Sequence, residues 1–221
     1  MGIRPAIPDH ATHAATREHL LEAAGEVFAE VGFRAATVRQ ICQRAGANIA
    51  AVNYHFGDKT ELYRAVLKES SRAALAKYPP DFGLPPRATP EQRLRAFVYS
   101  FLLRIFSEGP SARHGKLMAR EMIEPTGALD SIVKDNIRPS SVLLMSIIGD
   151  LIGKKASDKT KRLCAMSVVS QVLFYHHCRP VVLRLFPGIK FDEANTVALA
   201  DHITSFSLAA LKQIAKSPKT K

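Results

Sequence analysis

Between Thr37 and Tyr63 the chain reads TVRQICQRAGANIAAVNYHFGDKTELY, and this stretch leaves the backbone few choices. Thr37 is a good helix N-cap and stands before Val38, Ile41, Cys42 and Ala45, whose spacing gives one apolar helix face. Gly46 comes next, where a residue without a Cβ takes positive φ and turns the chain sharply. Asn48 is a second cap. After it Ile49, Val52 and Phe56 fall at i, i+3 and i+7, the core stripe of another short helix. Gly57-Asp58 closes that helix, and a long helix is expected from about Thr60 to Tyr78. Two short helices joined at a glycine turn form the frame of a helix-turn-helix.

The remainder reads as helical throughout. Upstream, Leu20, Leu21, Ala24, Val27, Phe28 and Val31 have helical spacing, and Gly32 follows as a stop. Pro79–Pro90, with five prolines, is a breaker. Beyond it helices are expected at about 91–107, 111–123, 126–136, 139–153, 158–179 and 193–215, with a short piece near 181–186. The expected fold class is all-α: an N-terminal three-helix helix-turn-helix domain followed by a helical-bundle domain for ligand binding and dimerisation. The boundaries follow as a flexible arm 1–15, a DNA-binding domain 16–62 and an effector-binding and dimerisation domain 63–216.

Composition narrows the function classes. Hydrophobic residues make up 47% of the chain, enough for a core without staples. No apolar run approaches the roughly 18 residues that span a bilayer, and the N-terminus has no apolar stretch typical of an export signal. Three cysteines at unrelated spacings suit a reducing compartment. The expected location is the cytosol, with no membrane partner. No phosphate-cradling glycine loop, nucleophile elbow or metal-ligand spacing is present, so no enzyme, catalytic residue, metal or cofactor is expected. His176-His177-Cys178, with Cys164 or His114, suggests a metal, yet adjacent histidines on a helix point about 100° apart. Net charge is +11, but residues 1–59 hold six basic and six acidic residues. Glu18, Glu22, Glu26 and Glu30 form one ridge; without it, 31–59 is basic through Arg34, Arg39, Arg44 and Lys59.

In a helix-turn-helix the second helix enters the major groove and the first crosses the backbone. Ala50 and Ala51 are small enough for close approach to base edges, and their methyls pack against thymine. Asn53, Tyr54 and His55 carry hydrogen-bonding groups, and Lys59 can neutralise a phosphate. Thr37 and Asn48 open helices whose N–H groups suit phosphate oxygens. Arg39 suits a guanine edge. The competing reading makes Thr37 simply a cap and His55 a packing residue.

Residues 16–64 resemble the N-terminal domain of TetR/AcrR-type transcriptional regulators. The segments NIAAVNYHFGDKTELYRAVL, LMAREMIEPTGALDSIVKDNIRP and VLFYHHCRPVVLRLFP are similar to a narrower branch, the CecR (YbiH-like) regulators. That resemblance implies that Thr37, Arg39, Ala50, Ala51, Asn53, Tyr54, His55 and Lys59 lie at the DNA. It alone implies that the cytosol is a bacterial one, with the protein on the nucleoid. Many relatives have a larger polar residue in place of Ala51 and tyrosine in place of Asn53, so their base preference does not carry over.

One recognition helix reads few base pairs, so a homodimer on a palindromic double-stranded operator is expected. Its surface is assigned to helices 158–179 and 193–215, where Ala165, Met166, Val169, Val172 and Leu173, then Val197, Leu199, Ile203, Phe206, Leu208 and Leu211, exceed what one buried face needs. An unknown small-molecule effector is assigned to Phe97, Phe101, Met118, Glu121, Met122, Gln171, Phe174, Tyr175 and His177, against the simpler reading of plain core. The expected function is a sequence-specific DNA-binding regulator, a repressor released by its effector. The alternatives are an activator using the same contacts and a sequence-nonspecific architectural binder.

Overall fold

The apolar positions sort into two separate cores. The computed structural model describes residues 10–106, 112–153 and 155–216; they contain eleven α-helices and no strand. Two compact units result, Met1–Ser71 with Lys116–Ile132, and Arg72–Gly115 with Val133–Lys221. The first therefore reaches past the 16–62 span and takes in a segment from the middle of the chain.

The first unit holds α1 (His10–Ala35), α2 (Val38–Ala45), α3 (Ile49–Phe56), most of α4 (Lys59–Lys77), most of α6 (Ala112–Ile123) and α7 (Leu129–Ile132). Leu20, Phe28, Ile41, Val52, Leu62, Tyr63 and Leu117 fill its core. Phe28, Phe33 and Tyr63 stack there with ring centroids 4.8–6.1 Å apart. Residues 10–15, expected in a flexible arm, belong to α1, because their helix-favouring alanines continue its register. Residues 1–9 of that arm lie outside the described residues. Gly32, at φ 82 and ψ 170, interrupts α1 as expected, but the chain makes a further short turn to Ala35.

The second unit is built on α5 (Pro90–Phe106), α8 (Arg138–Ile152), α9 (Asp158–His177), α10 (Arg179–Leu185) and α11 (Glu193–Lys216). Leu94, Val98, Leu102, Leu144, Ile148, Val168, Val172, Ala200 and Ile203 form its core. A π turn over Val133–Ile137 leads from α7 into α8, where separate helices 126–136 and 139–153 were expected.

Helix starts share one chemistry. A side-chain oxygen accepts the backbone N–H three residues on at Thr37 (from Gln40), Asp58 (from Glu61), Thr89 (from Gln92), Ser157 (from Thr160) and Asp192 (from Asn195). Each satisfies a donor the helix leaves unpaired, worth about 1 kcal/mol. No helix among the described residues is long and apolar enough to cross a membrane.

Candidate nucleic-acid interface

The turn between α2 and α3 is closed by local bonds. Thr37 and Gln40 make a reciprocal capping box, with the Gln40 side chain accepting from the Thr37 N–H at 2.9 Å. Gly46 takes φ 63, and the N–H of Ala47 returns to the Cys42 carbonyl at 2.9 Å. Asn48 Oδ1 then accepts the Ala50 N–H at 3.1 Å and starts α3.

These constraints fix which face of α3 is free. Val52 is fully buried, whereas Ala50, Asn53 and Tyr54 are exposed, Tyr54 by 73%. Ala51 and His55 are half-buried. Ile49, expected in the core stripe, is 49% exposed, as the first residue of a short helix that anchors itself through Val52. Thr37, Arg39 and Asn48 are exposed on the same unit.

The first turns of α1 join this surface, which the arm reading of residues 1–15 hid. The His13 ring lies 5.6 Å from Tyr54 and 6.1 Å from His55, and the Arg17 guanidinium sits 5.2 Å from the centre of the Phe56 ring. Partial desolvation, then His13 and Arg17, hold the His55 imidazole below its usual range. Periodicity already places His13 and Arg17 one turn apart; what sequence lacks is the packing of α1 against the end of α3.

The basic balance of 31–59 is largely engaged within the unit. Arg44 pairs with Glu30 at 2.9 Å and Glu26 at 3.7 Å, and Arg34 approaches Glu124 at 3.8 Å. Lys59 Nζ donates to the Phe33 and Ala36 carbonyls, both at 2.9 Å, and lies 4.5 Å from the Phe33 ring centre. Lys59 thus ties the start of α4 to the end of α1 and retains one N–H. Arg120 donates to the Ala29 and Glu30 carbonyls at 3.2 and 2.6 Å. Among the described arginines of this unit, only Arg17 and Arg39 have no carboxylate or carbonyl partner.

The nine residues assigned to an effector are divided between the two units. Met118, Glu121 and Met122 belong to the first unit. Glu121 is fully buried and accepts from Tyr63 Oη at 3.0 Å and from the Thr126 N–H and hydroxyl at 2.8 and 3.0 Å. Burial, then Glu121, pushes the Tyr63 phenol well up. In the second unit, Phe97 is core and Phe101 is half-buried. Gln171, Phe174 and Tyr175 line a groove of about 390 Å³ with Ser170, His202 and Ile203, whereas His177 turns back to the Leu173 carbonyl at 3.0 Å.

Known proteins share both units. The family described as bacterial regulatory proteins, tetR family, matches residues 20–66. The C-terminal domain of the HTH-type transcriptional dual regulator CecR matches residues 90–211, more than half of the chain. The HTH-type transcriptional dual regulator CecR of Shigella flexneri is 27% identical over 85% of this chain and 87% of its own. The regulator SrpR of Pseudomonas putida is 38% identical, but over 31% of this chain and 32% of its own. A solved structure of a mutant of HlyIIR superposes at a TM-score of 0.62 with 25% identity, covering 87% of this chain and 97% of that one. A transcriptional regulator from Rhodococcus sp. Rha1 shares the fold at 0.63 with 19% identity, covering 88% and 96%. The chain belongs to the TetR family of helix-turn-helix transcriptional regulators, in the group whose C-terminal domain is that of CecR.

Proposed function

We propose that this regulator is a homodimeric, sequence-specific operator binder, a repressor released when a small effector binds its second unit. The observation that carries the reading is α3: one face is locked by the fully buried Val52, and the other leaves Ala50, Asn53 and the 73% exposed Tyr54 free for a major groove. Thr37, Arg39, Asn48, Ala51, His55 and Lys59 complete the contact set, and His13 and Arg17 extend it to the flanking phosphates. Lys59 acts first by holding α1 and α4 together, with its third N–H available to a phosphate.

Dimerisation is supported by apolar side chains left uncovered on α9 and α11. Leu163, Met166 and Phe174 recur at helical spacing and are 53–59% exposed, and Phe206 is 63% exposed. A second copy would cover them and set the two recognition helices about one duplex turn, roughly 34 Å, apart. In this reading the effector shifts α4 and moves the two α3 helices out of register. Operator then weakens effector binding by the same factor.

The test is selection of bound duplexes from a random pool at physiological salt, with sedimentation to count protomers. An enriched inverted repeat, lost in Tyr54→Ala without a change in thermal stability, supports the reading. Uniform, steeply salt-sensitive binding favours the architectural alternative.

A further inference from the structure

Arg104, on the last turn of α5, is only 8% exposed, and it is an anomaly. Burying a guanidinium costs several kcal/mol unless a partner and further hydrogen bonds satisfy it. Among the described residues, the one bond its five donors form is Nε to the Ser100 carbonyl, one turn back on its own helix, at a long 3.4 Å. Its other neighbour is the Phe101 ring, 5.4 Å away. Earlier on the same helix the more exposed Arg93 and Arg95 have carboxylates, Asp150 at 2.9 Å and Asp201 at 2.5 Å. Among the described residues the buried arginine has none.

Two imidazoles lie near the end of α5. Gly115, at the start of α6, presses so closely on α5 that a Cβ there would stand 2.9 Å from the Ile105 carbonyl. This packing brings His114 beside Arg104. Burial first, then the guanidinium, lowers the His114 imidazole to about 4. His176, near the end of α9, bonds to the Gly115 backbone, and its ring lies 6.0 Å from Phe106. Phe106 stacks on Phe191 at 4.8 Å, and Arg179 covers Phe191 at 4.8 Å.

We propose that Arg104, with His114 beside it and the Phe101 ring against it, anchors an apolar carboxylate, and that this is the chemical class of the effector. The guanidinium fork matches a carboxylate with two parallel N–H bonds. The Phe101 face takes an aryl or alkyl body, as small-molecule sites combine apolar walls with few polar anchors. This assignment rests on the regulator reading only for the word effector; the binding site stands on the second unit alone.

The experiment is calorimetry on the full chain without DNA, titrating 1-naphthoate, decanoate, neutral 1-naphthamide and inorganic phosphate. The expected result is that naphthoate and decanoate bind, with naphthamide weaker by about tenfold or more, the loss of a charged hydrogen-bonded pair. Arg104→Met removes this preference for acid over amide. Equal binding of acid and amide overturns the proposal, as does unchanged carboxylate affinity in a folded Arg104→Met. Phosphate binding as tightly as naphthoate overturns the apolar class. The acid–amide comparison uses the unaltered protein, so it stands whatever the variants do. Operator binding is followed separately by fluorescence anisotropy. A protein that binds its operator but no carboxylate defeats this proposal alone; one that binds carboxylate but selects no operator defeats the regulator reading alone.

Discussion

Among the described residues each unit buries one charge, and the two are treated in opposite ways. Glu121, fully buried in the first unit, has Tyr63 and Thr126 supplying three donors to its two oxygens. Arg104, 8% exposed in the second, offers five donors and makes one long bond among the described residues. A saturated buried charge fixes the geometry around it, because any rearrangement leaves polar groups unpaired. An unsaturated one leaves binding capacity in place at the expense of stability. The first arrangement suits a unit that must present α3 in one orientation. The second suits a unit that must accept something.

The largest test of this contrast is Glu121→Ala. It strips the acceptor from Tyr63 Oη and the Thr126 N–H and opens a cavity, so a loss of about 3–4 kcal/mol is expected in urea unfolding. Glu121→Gln keeps the volume and one acceptor and should lose about half as much. A loss under about 1 kcal/mol for the alanine variant would make the network incidental.

Acid attacks the second unit through His114. Its folded value of about 4 lies below the ordinary imidazole value of 6.5, so the unfolded chain binds more protons between those limits. The stability it contributes is therefore complete above pH 6.5 and is lost as pH falls from there through 4, amounting to at most about 3 kcal/mol. Carboxylates titrate in the same window, so the quantity to read is the difference between the unaltered chain and His114→Gln at pH 7.5 and 4.5. Parallel curves would show that Arg104 and burial do not hold the imidazole neutral.

What the sequence exposed and what it hid divide along the same physical line. Thr37, Gly46 and Asn48 were legible because their partners lie within a few residues and capping chemistry has a fixed spacing. The bond from Tyr63 to Glu121 was hidden because the two residues lie 58 positions apart. Lys59 was read only as a phosphate ligand because its acceptors are backbone carbonyls 26 and 23 residues earlier, and a carbonyl leaves no mark in a sequence. Ile49 counted as core by period alone, yet only Val52 of that stripe is fully buried. Arg104 gave no signal: an arginine in an amphipathic helix is ordinarily exposed, and its burial follows from how α6 and α9 close over the end of α5.

Lys59 extends the contrast to a half-buried charge. With two carbonyls and the Phe33 ring as partners, Lys59→Ala should lower stability by about 1–2 kcal/mol as well as weaken DNA binding. Lys59→Arg, longer and forked, should recover only part of the stability. If Lys59→Ala weakened binding at unchanged stability, its role would be phosphate contact alone.

The smallest effect carries the opposite sign. If Arg104 is held buried for a ligand, the ligand-free protein bears the desolvation of a guanidinium that its one 3.4 Å bond does not offset. Methionine fills a similar volume, adapts to irregular packing and leaves nothing charged behind. Replacing buried charges by well-packed apolar side chains is often neutral or stabilising. Arg104→Met should then raise the ligand-free unfolding free energy by about 1 kcal/mol, and saturating carboxylate should cancel or reverse the difference by stabilising only the arginine form. Destabilisation by the same substitution without ligand would mean that Arg104 belongs, like Glu121, to the structure of its unit, and the contrast between the two buried charges would collapse.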